Sequence, residues 1–167
     1  MLISCASAVK IRHILQSVNN LTSENFSIEI SKKEGILIDA MDASTAAMIR
    51  VILRPRMFDK FIVPKDELLG IKSDSMLRAF HAAERNDGVV MQHGGSFGDD
   101  KLHLCFSERS GSKGQQDVVC RDSEFELYLL NIQGDEHVMP GEIPTPDVML
   151  EISSKDFQRM YEVIIKS

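Results

Sequence analysis

"GILIDAMDASTAAMIRVIL", Gly35 to Leu53, holds two alternating apolar runs around a short polar break, Asp42-Ala43-Ser44-Thr45. Successive side chains of a strand point to opposite faces. The alternation therefore puts Ile36, Ile38 and Ala40 on one face of a strand and Leu37, Asp39 and Met41 on the other. Ala47, Ile49, Val51 and Leu53 continue on a partner strand, and Pro55 ends it, because proline has no N–H for a ladder. The stretch reads as a β-hairpin or tight strand pair with no glycine in its turn. Met41 and Met48 stand on either side of the break. Two readings are open for them. They fill the core, or they present a shape-adaptable apolar surface for docking.

Outward from this stretch the pattern is strand-rich, with three helical windows. Leu2 to Ala6 reads as a short strand, and Phe26 to Ile30 as a half-buried strand ending in the turn Lys32-Lys33-Glu34-Gly35. Between them, Ser7 to Val18 carries a helical stripe of Ala8, Ile11, Ile14, Leu15 and Val18. A second cycle follows: a strand over Leu68 to Lys72, then a helix over Ser73 to Ala83 with Met76, Phe80 and Ala83 inward. Further strands are expected at Val89 to His93, Leu102 to Phe106 and Val118 to Leu130. The glycine-bearing loops Gly94 to Gly98 and Ser110 to Gly114 separate them. Pro140, Pro144 and Pro146 make Asn131 to Asp147 an extended linker. Beyond it, Val148 to Ile152 reads as a strand. Ser153 to Lys166 then reads as a helix with Phe157, Met160, Tyr161, Ile164 and Ile165 inward.

The unit of strand, serine, helix and more strands thus occurs twice and begins a third time. Ser7, Ser73 and Ser154 each precede an arginine by five residues, Arg12, Arg78 and Arg159, and an apolar residue follows at seven. A serine at a helix start can cap free amides. Five residues on, the arginine falls outside the core stripe.

The chain has 167 residues, 43% apolar and 26% charged, which suits one domain, or one domain and part of another. No apolar run is long enough to span a bilayer, and the short N-terminus lacks the basic leader of a signal peptide. Cys5, Cys105 and Cys120 are far apart and odd in number, without zinc spacing, so reduced thiols are expected. The net charge of −6 excludes a uniformly basic DNA-gripping surface. The first helix nevertheless carries Lys10 and Arg12 with no acid between Ser7 and Asn20, and the second carries Arg78 and His81. The third carries Lys155 and Arg159 beside Asp156 and Glu162. Equivalent helices lining one surface would make it mildly basic. Solvated helix faces are the ordinary alternative.

Catalytic signatures are absent from the pattern. Gly94 to Gly98 is followed by no Gly-Lys-Ser/Thr, the five histidines lack ligand spacing, and no nucleophile–base arrangement is marked by a motif. Asp39, Asp42, Asp99 and Asp100 could be grouped as metal ligands of a small hydrolase, but turns are rich in acids for local reasons. No catalysis, cofactor or metal is expected.

Taken in order, these segments resemble the proliferating cell nuclear antigen family, the eukaryotic and archaeal sliding clamps. Ala40-Met41-Asp42-Ala43-Ser44 is similar to the family's S-M-D-S-S corner between two strands. Val9 to Val18 resembles its first helix, Leu68 to Ala83 its second strand and helix, and Asp122 to Leu130 the long strand leading out of the first domain. Asp135-Glu136-His137-Val138-Met139-Pro140 resembles the interdomain connector, written E-H-L-G-I-P, with one residue fewer. Ile143-Pro144 therefore stays a second candidate for the connector's Ile-Pro.

The resemblance implies an α+β fold of the DNA-clamp type: repeated β-α-β-β-β units, with helices on one face of curved antiparallel sheets. It implies an N-terminal clamp domain over 1–130, a connector over 131–147 and the start of an incomplete second domain over 148–167. It implies a subunit of a ring, a homotrimer in the full-length family. Such a ring encircles double-stranded DNA without sequence specificity, serves as a DNA polymerase processivity factor and is opened by a clamp loader. Residue by residue, Lys10, Arg12, His13, Arg78, His81, Lys155 and Arg159 would face DNA. Met41, Ala46 and Met48 would form one wall of the pocket for clamp-interacting peptides of polymerase and repair proteins, and Val138, Met139 and Pro140 the other. The strand holding Asp117, Val119, Arg121, Ser123 and Phe125 would meet a neighbouring subunit. Action in the nucleus is implied, or in the cytoplasm for an archaeal or viral clamp. The same fold also serves heterotrimeric checkpoint clamps in DNA-damage signalling, which is the alternative. A family subunit has a complete second domain, and this chain stops one helix into it; a single-domain ring would need six copies closed head to tail.

Overall fold

The computed structural model describes residues 1–22, 25–42, 44, 47–108, 123–131 and 151–165. It divides into two units, Met1–Asp135 and Glu136–Ser167. In the first, β1 (Leu2–Cys5), α1 (Ala8–Leu21), β2 (Asn25–Ser31), β3 (Gly35–Met41) and β4 (Met48–Leu53) follow one another. A 3-10 turn at Pro55–Met57 leads to β5 (Lys60–Ile62) and β6 (Glu67–Lys72). Then come α2 (Ser73–His81), β7 (Asp87–His93), a 3-10 turn at Gly95–Phe97, β8 (Lys101–Glu108) and β9 (Ser123–Tyr128). The second unit contributes α3 (Ser154–Ile165).

The strands form two antiparallel sheets, ordered β5-β1-β7-β8-β9 and β4-β3-β2-β6. Each strand sends alternate residues into one core. Ile36, Ile38 and Ala40 from β3 meet Phe26, Ile28 and Ile30 from β2, Leu69 and Ile71 from β6, and Leu102, Leu104 and Phe106 from β8. The helices cover this apolar side with Ile11, Leu15 and Val18 of α1 and with Met76, Ala79 and Phe80 of α2. Phe106 stands edge-on to Phe80 at 5.1 Å and to Phe125 at 5.9 Å between centroids, the favoured geometry for aromatic pairs. That chain of rings joins α2 to β8 and to the edge strand β9.

The two helices run antiparallel and are tied at both ends. Ser73 Oγ donates to Asn19 Oδ1 at 2.8 Å, joining the end of α1 to the start of α2. Arg12 Nη1 donates to the Ala83 carbonyl at 3.2 Å, joining the start of α1 to the end of α2. That carbonyl lies just past the end of α2, where the helix dipole favours a cation.

Several expectations change. The repeated serines do not share one capping role: Ser7 holds the N-cap position without a side-chain bond, and Ser73 is a buried first-turn residue. At α3 the capping group is Ser153, whose Oγ accepts from the Asp156 N–H at 3.2 Å and donates to its carboxylate at 2.6 Å. The apolar stripe of α3 does not face inward. Phe157, Met160, Tyr161 and Ile164 are exposed. Of the last predicted strand, Glu151 and Ile152 carry no regular structure, and 148–150 lie outside the described residues, as do 118–122 of the long strand. The strand β5 and its preceding turn were not anticipated. Three residues are too few for a periodic signal. Cys105 is disulfide-bonded, contrary to the expected reduced thiols, while Cys5 is free.

Gly35, at φ +101°, opens β3 under the end of β4, and a Cβ there would lie 2.1 Å from the Leu53 carbonyl oxygen. Only glycine fits both the backbone angle and the close approach. Gly35→Ala should therefore cost about 2 kcal/mol or more, measured as a lower urea midpoint with unchanged m.

Candidate DNA-facing helices, docking corner and edge strands

On α1 the residues between the buried ones, Lys10, His13, Ser17 and Asn20, are exposed; on α2 they are Asp74, Arg78 and His81. All lie on the side of the helices turned away from the sheets. Antiparallel packing brings the first half of α1 to the last half of α2. The exposed bases Lys10 and His13 therefore gather at the same end of the pair as Arg78 and His81. Arg12, expected on this face, is half-buried and spends its guanidinium on the Ala83 carbonyl, so it positions the helices as well as adding charge. Arg78 Nε donates to the Asp74 carbonyl one turn back, at 3.3 Å. Lys155 and Arg159 are exposed on α3, in the second unit.

The candidate docking corner is built by one carboxylate. The Asp42 N–H donates to the Ala47 carbonyl at 3.0 Å, continuing the β3–β4 ladder by one rung. Asp42 Oδ1 accepts the Ala47 N–H at 2.7 Å, and Oδ2 accepts from Ser44 Oγ. An Asp that bonds backbone a few residues on replaces the glycine a tight turn would otherwise need. Met41 and Met48 sit directly opposite each other across the last rung before the corner. They are half-buried and stand on the sheet face opposite the core residues Ile38 and Ala40. Neither belongs to the buried core. Below them on the same face Arg50 grips Asp39 with Nε and Nη2, at 2.7 and 2.6 Å. That hydrogen-bonded carboxylate raises the guanidinium pKa further above its usual value. Leu37 and Ile52 form the next row. Ala46, Val138, Met139, Pro140 and Ile143 lie outside the described residues.

Of the expected interface strand, Asp117, Val119 and Arg121 lie outside the described residues, while Ser123 and Phe125 are on β9 and half-buried on the core side. The ladder fixes which β9 groups point away from β8. Leu129 N–H donates to the Asp100 carbonyl at 2.8 Å, so 129 and 100 form a hydrogen-bonded pair, and by alternation so do 127 and 102, and 125 and 104. The N–H and C=O groups of Glu124, Glu126 and Tyr128 therefore point away from β8, on the side where the Leu130 N–H bonds the Gly70 carbonyl of β6 at 2.9 Å. Glu124, Glu126 and Tyr128 went unmarked in the sequence, where only their exposure could be read. Lys101 Nζ bonds Glu126 at 2.8 Å and sits 5.0 Å from the Tyr128 ring centroid. The hydrogen bond with Lys101 holds the Glu126 carboxyl below the usual range and raises the lysine, so this exposed pair persists until the pH falls through the lowered carboxyl value.

Among the described residues no three of His, Cys, Asp and Glu gather to hold a metal. Of the four aspartates grouped as candidate ligands, Asp39 pairs with Arg50 and Asp42 builds the corner, while the backbone carbonyls of Asp99 and Asp100 bond His93 and Leu129. No described helix is long and apolar enough to cross a membrane.

Two antiparallel sheets backed by a tied helix pair define a DNA-clamp fold. The crystal structure of PCNA from Thermococcus kodakaraensis matches it with a TM-score of 0.70 at 19% identity, over 86% of this chain and 51% of that one. This chain thus spans about half the length of that clamp. Residues 3–136 match the proliferating cell nuclear antigen N-terminal domain, and the chain belongs to that family. The family is one of sliding clamps, non-enzymatic scaffolds.

Asp42→Ala removes both corner bonds made by the carboxylate. It should cost about 1–2 kcal/mol and selectively shift the amide resonances of Met41 and Met48, leaving those of α1 and α2 in place.

Proposed function

We propose that this chain acts in a ring around duplex DNA, as a processivity factor for DNA polymerase and a docking platform for replication and repair proteins. The observation that carries this reading is the basic end of the helix pair. An acidic protein, at −6, collects Lys10, His13, Arg78 and His81 on the side of the helices turned away from both sheets. Contacts of that kind bind phosphates without reading bases. The opposite side offers the Met41–Met48 corner, an apolar spot rimmed by the Asp39–Arg50 pair, as the wall for an apolar anchor of a partner peptide. The domain divisions 1–130, 131–147 and 148–167 fit this reading, with Val138 to Pro140 as the second wall. A clamp loader opens the ring, the full-length assembly is a homotrimer, and the site of action is the nucleus, or the cytoplasm in an archaeal or viral setting.

The test uses two readouts on the chain. Lys10→Ala combined with Arg78→Ala should weaken binding to duplexes of unrelated sequence equally. It should also reduce the slope of log K against log salt by about one per lost phosphate contact. Met41→Ala combined with Met48→Ala should weaken a fluorescein-labelled clamp-interacting peptide about tenfold or more in anisotropy titrations. Unchanged slope and unchanged peptide affinity would sink the reading. Capture of unlike clamp subunits without self-association would point to the checkpoint clamp instead.

A further inference from the structure

One end of the four-stranded sheet carries a patch of cations separate from those on the helices. There the close of β4, the β2–β3 turn and the loop entering β6 lie side by side, since Leu53 pairs with Ile36, Gly35 with Ser31 and Ile30 with Glu67. Two close approaches lock them together. Gly35 sits against the Leu53 carbonyl and the Pro55 ring, and Asp66 Oδ1 accepts the Lys32 N–H at 2.9 Å. Lys32 and Lys33 of the turn, Arg54 and Arg56 around Pro55, and Lys65 are thereby collected at this end, and all are exposed. We propose that the patch is a docking site for an acidic peptide segment of a partner protein. The inference goes beyond the clamp reading and uses none of the residues that carry it.

These cations differ from others in the first unit. Arg12 bonds the Ala83 carbonyl, Arg50 grips Asp39, and Lys101 bonds Glu126. Among the described residues, the side chains of Lys32, Lys33, Arg54, Arg56 and Lys65 make no hydrogen bond or ion pair. Two exposed carboxylates share the patch, Glu34 and Asp66, and Asp66 already accepts a backbone N–H. In a chain of net charge −6, this end is locally positive. Its cations repel one another, and the carboxylates of a partner would relieve that repulsion.

The backbone beneath the patch is stiff. Pro55 fixes φ between the two arginines at the start of its 3-10 turn, and the Asp66 bond ties the β2–β3 turn to the next loop. Little backbone ordering is left for a partner to impose. Strands about 4.8 Å apart make the end of this sheet about 14 Å wide, the span of about four extended residues. Each arginine presents a planar fork that can take a carboxylate through two N–H groups. A peptide fits better than a nucleic acid. Phosphates follow one another without a gap and would set negative charge against Glu34, whereas a peptide can place neutral residues between its acids. No exposed aromatic ring stands among the described residues of the patch for a base to stack on. Met57, exposed beside Arg56, offers an apolar side chain of the peptide a contact instead.

The test is an anisotropy titration of the whole chain against a short fluorescein-labelled peptide in which Glu or Asp alternates with Leu. The wild-type chain should bind it, and more weakly as salt rises, because the charges are exposed. Arg54→Gln combined with Arg56→Gln keeps the side-chain length and removes the charge, and should weaken binding about tenfold or more. Lys33→Glu should act in the same direction. Lys72→Gln combined with Arg85→Gln removes the same charge from exposed positions elsewhere and should leave the affinity as it was. A wild-type chain that does not bind the peptide, or an Arg54, Arg56 variant that binds it as the wild type does, would overturn the proposal. Equal weakening by the Lys72, Arg85 variant would also overturn it, since general charge attraction would then suffice. So would an Arg54, Arg56 variant that keeps the peptide and loses a labelled duplex, which would assign the patch to nucleic acid. The clamp reading stands or falls separately, on Lys10, Arg78, Met41 and Met48.

Discussion

The antiparallel helix pair is the constraint on which the rest of the first unit depends. Its two ties, Ser73 to Asn19 and Arg12 to the Ala83 carbonyl, fix the slide of α1 along α2. That slide decides which exposed side chains share a neighbourhood. Moved by more than two turns, Lys10 and His13 would face the acidic start of α2 at Asp74 instead of its basic end. Arg12 is the economical choice for the tie. Its planar fork reaches a helix-end carbonyl, satisfies an acceptor that the helix cannot, and keeps its charge on the basic side.

The sheets obey a second rule that the helices do not see. Because side chains and hydrogen-bonding groups both alternate with period two, the residues that face solvent on β4 and β9 are also those whose backbone groups point away from the neighbouring strand. Arg50 and Glu126 therefore carry charge and outward backbone groups at the same rung. Each is already held by a neighbour one strand in, Asp39 and Lys101. Such pairs add little to the stability of an isolated subunit while they are solvated. Their effect is to fix two long side chains in place, which lowers the ordering cost of any later contact.

Much of this fold was legible in the sequence. The alternation in Gly35 to Leu53 gave both strands and their inward faces, because one side of that sheet is buried and the other is not. The stripes of α1 and α2 were legible for the same reason. Three things were not. The serines at the helix starts look alike, but whether a serine caps or bonds a neighbouring helix depends on what stands beside it, as with Ser73 and Asn19. The stripe of α3 reads as core-facing, since periodicity reports an apolar face and not whether anything covers it. Strand β5 is held in place by β1, and its own three residues carry no pattern.

The candidate site divides in the same way. Residue types identified Lys10, His13, Arg78 and His81 as possible phosphate contacts, yet their gathering at one end needed the direction of packing. Met41 and Met48 were ambiguous because methionine serves equally in cores and on docking surfaces. The ambiguity ends with Ala40: its buried methyl group fixes the inner face, and its neighbours in sequence must take the other. Asp42 then explains how a corner without glycine can turn there. Its carboxylate supplies an acceptor for the Ala47 N–H, so the turn is closed by a side chain. Under the proposed function, the docking wall on this corner would be held by the adjoining ladder, and a partner peptide would find Met41 and Met48 already opposed rather than having to order them.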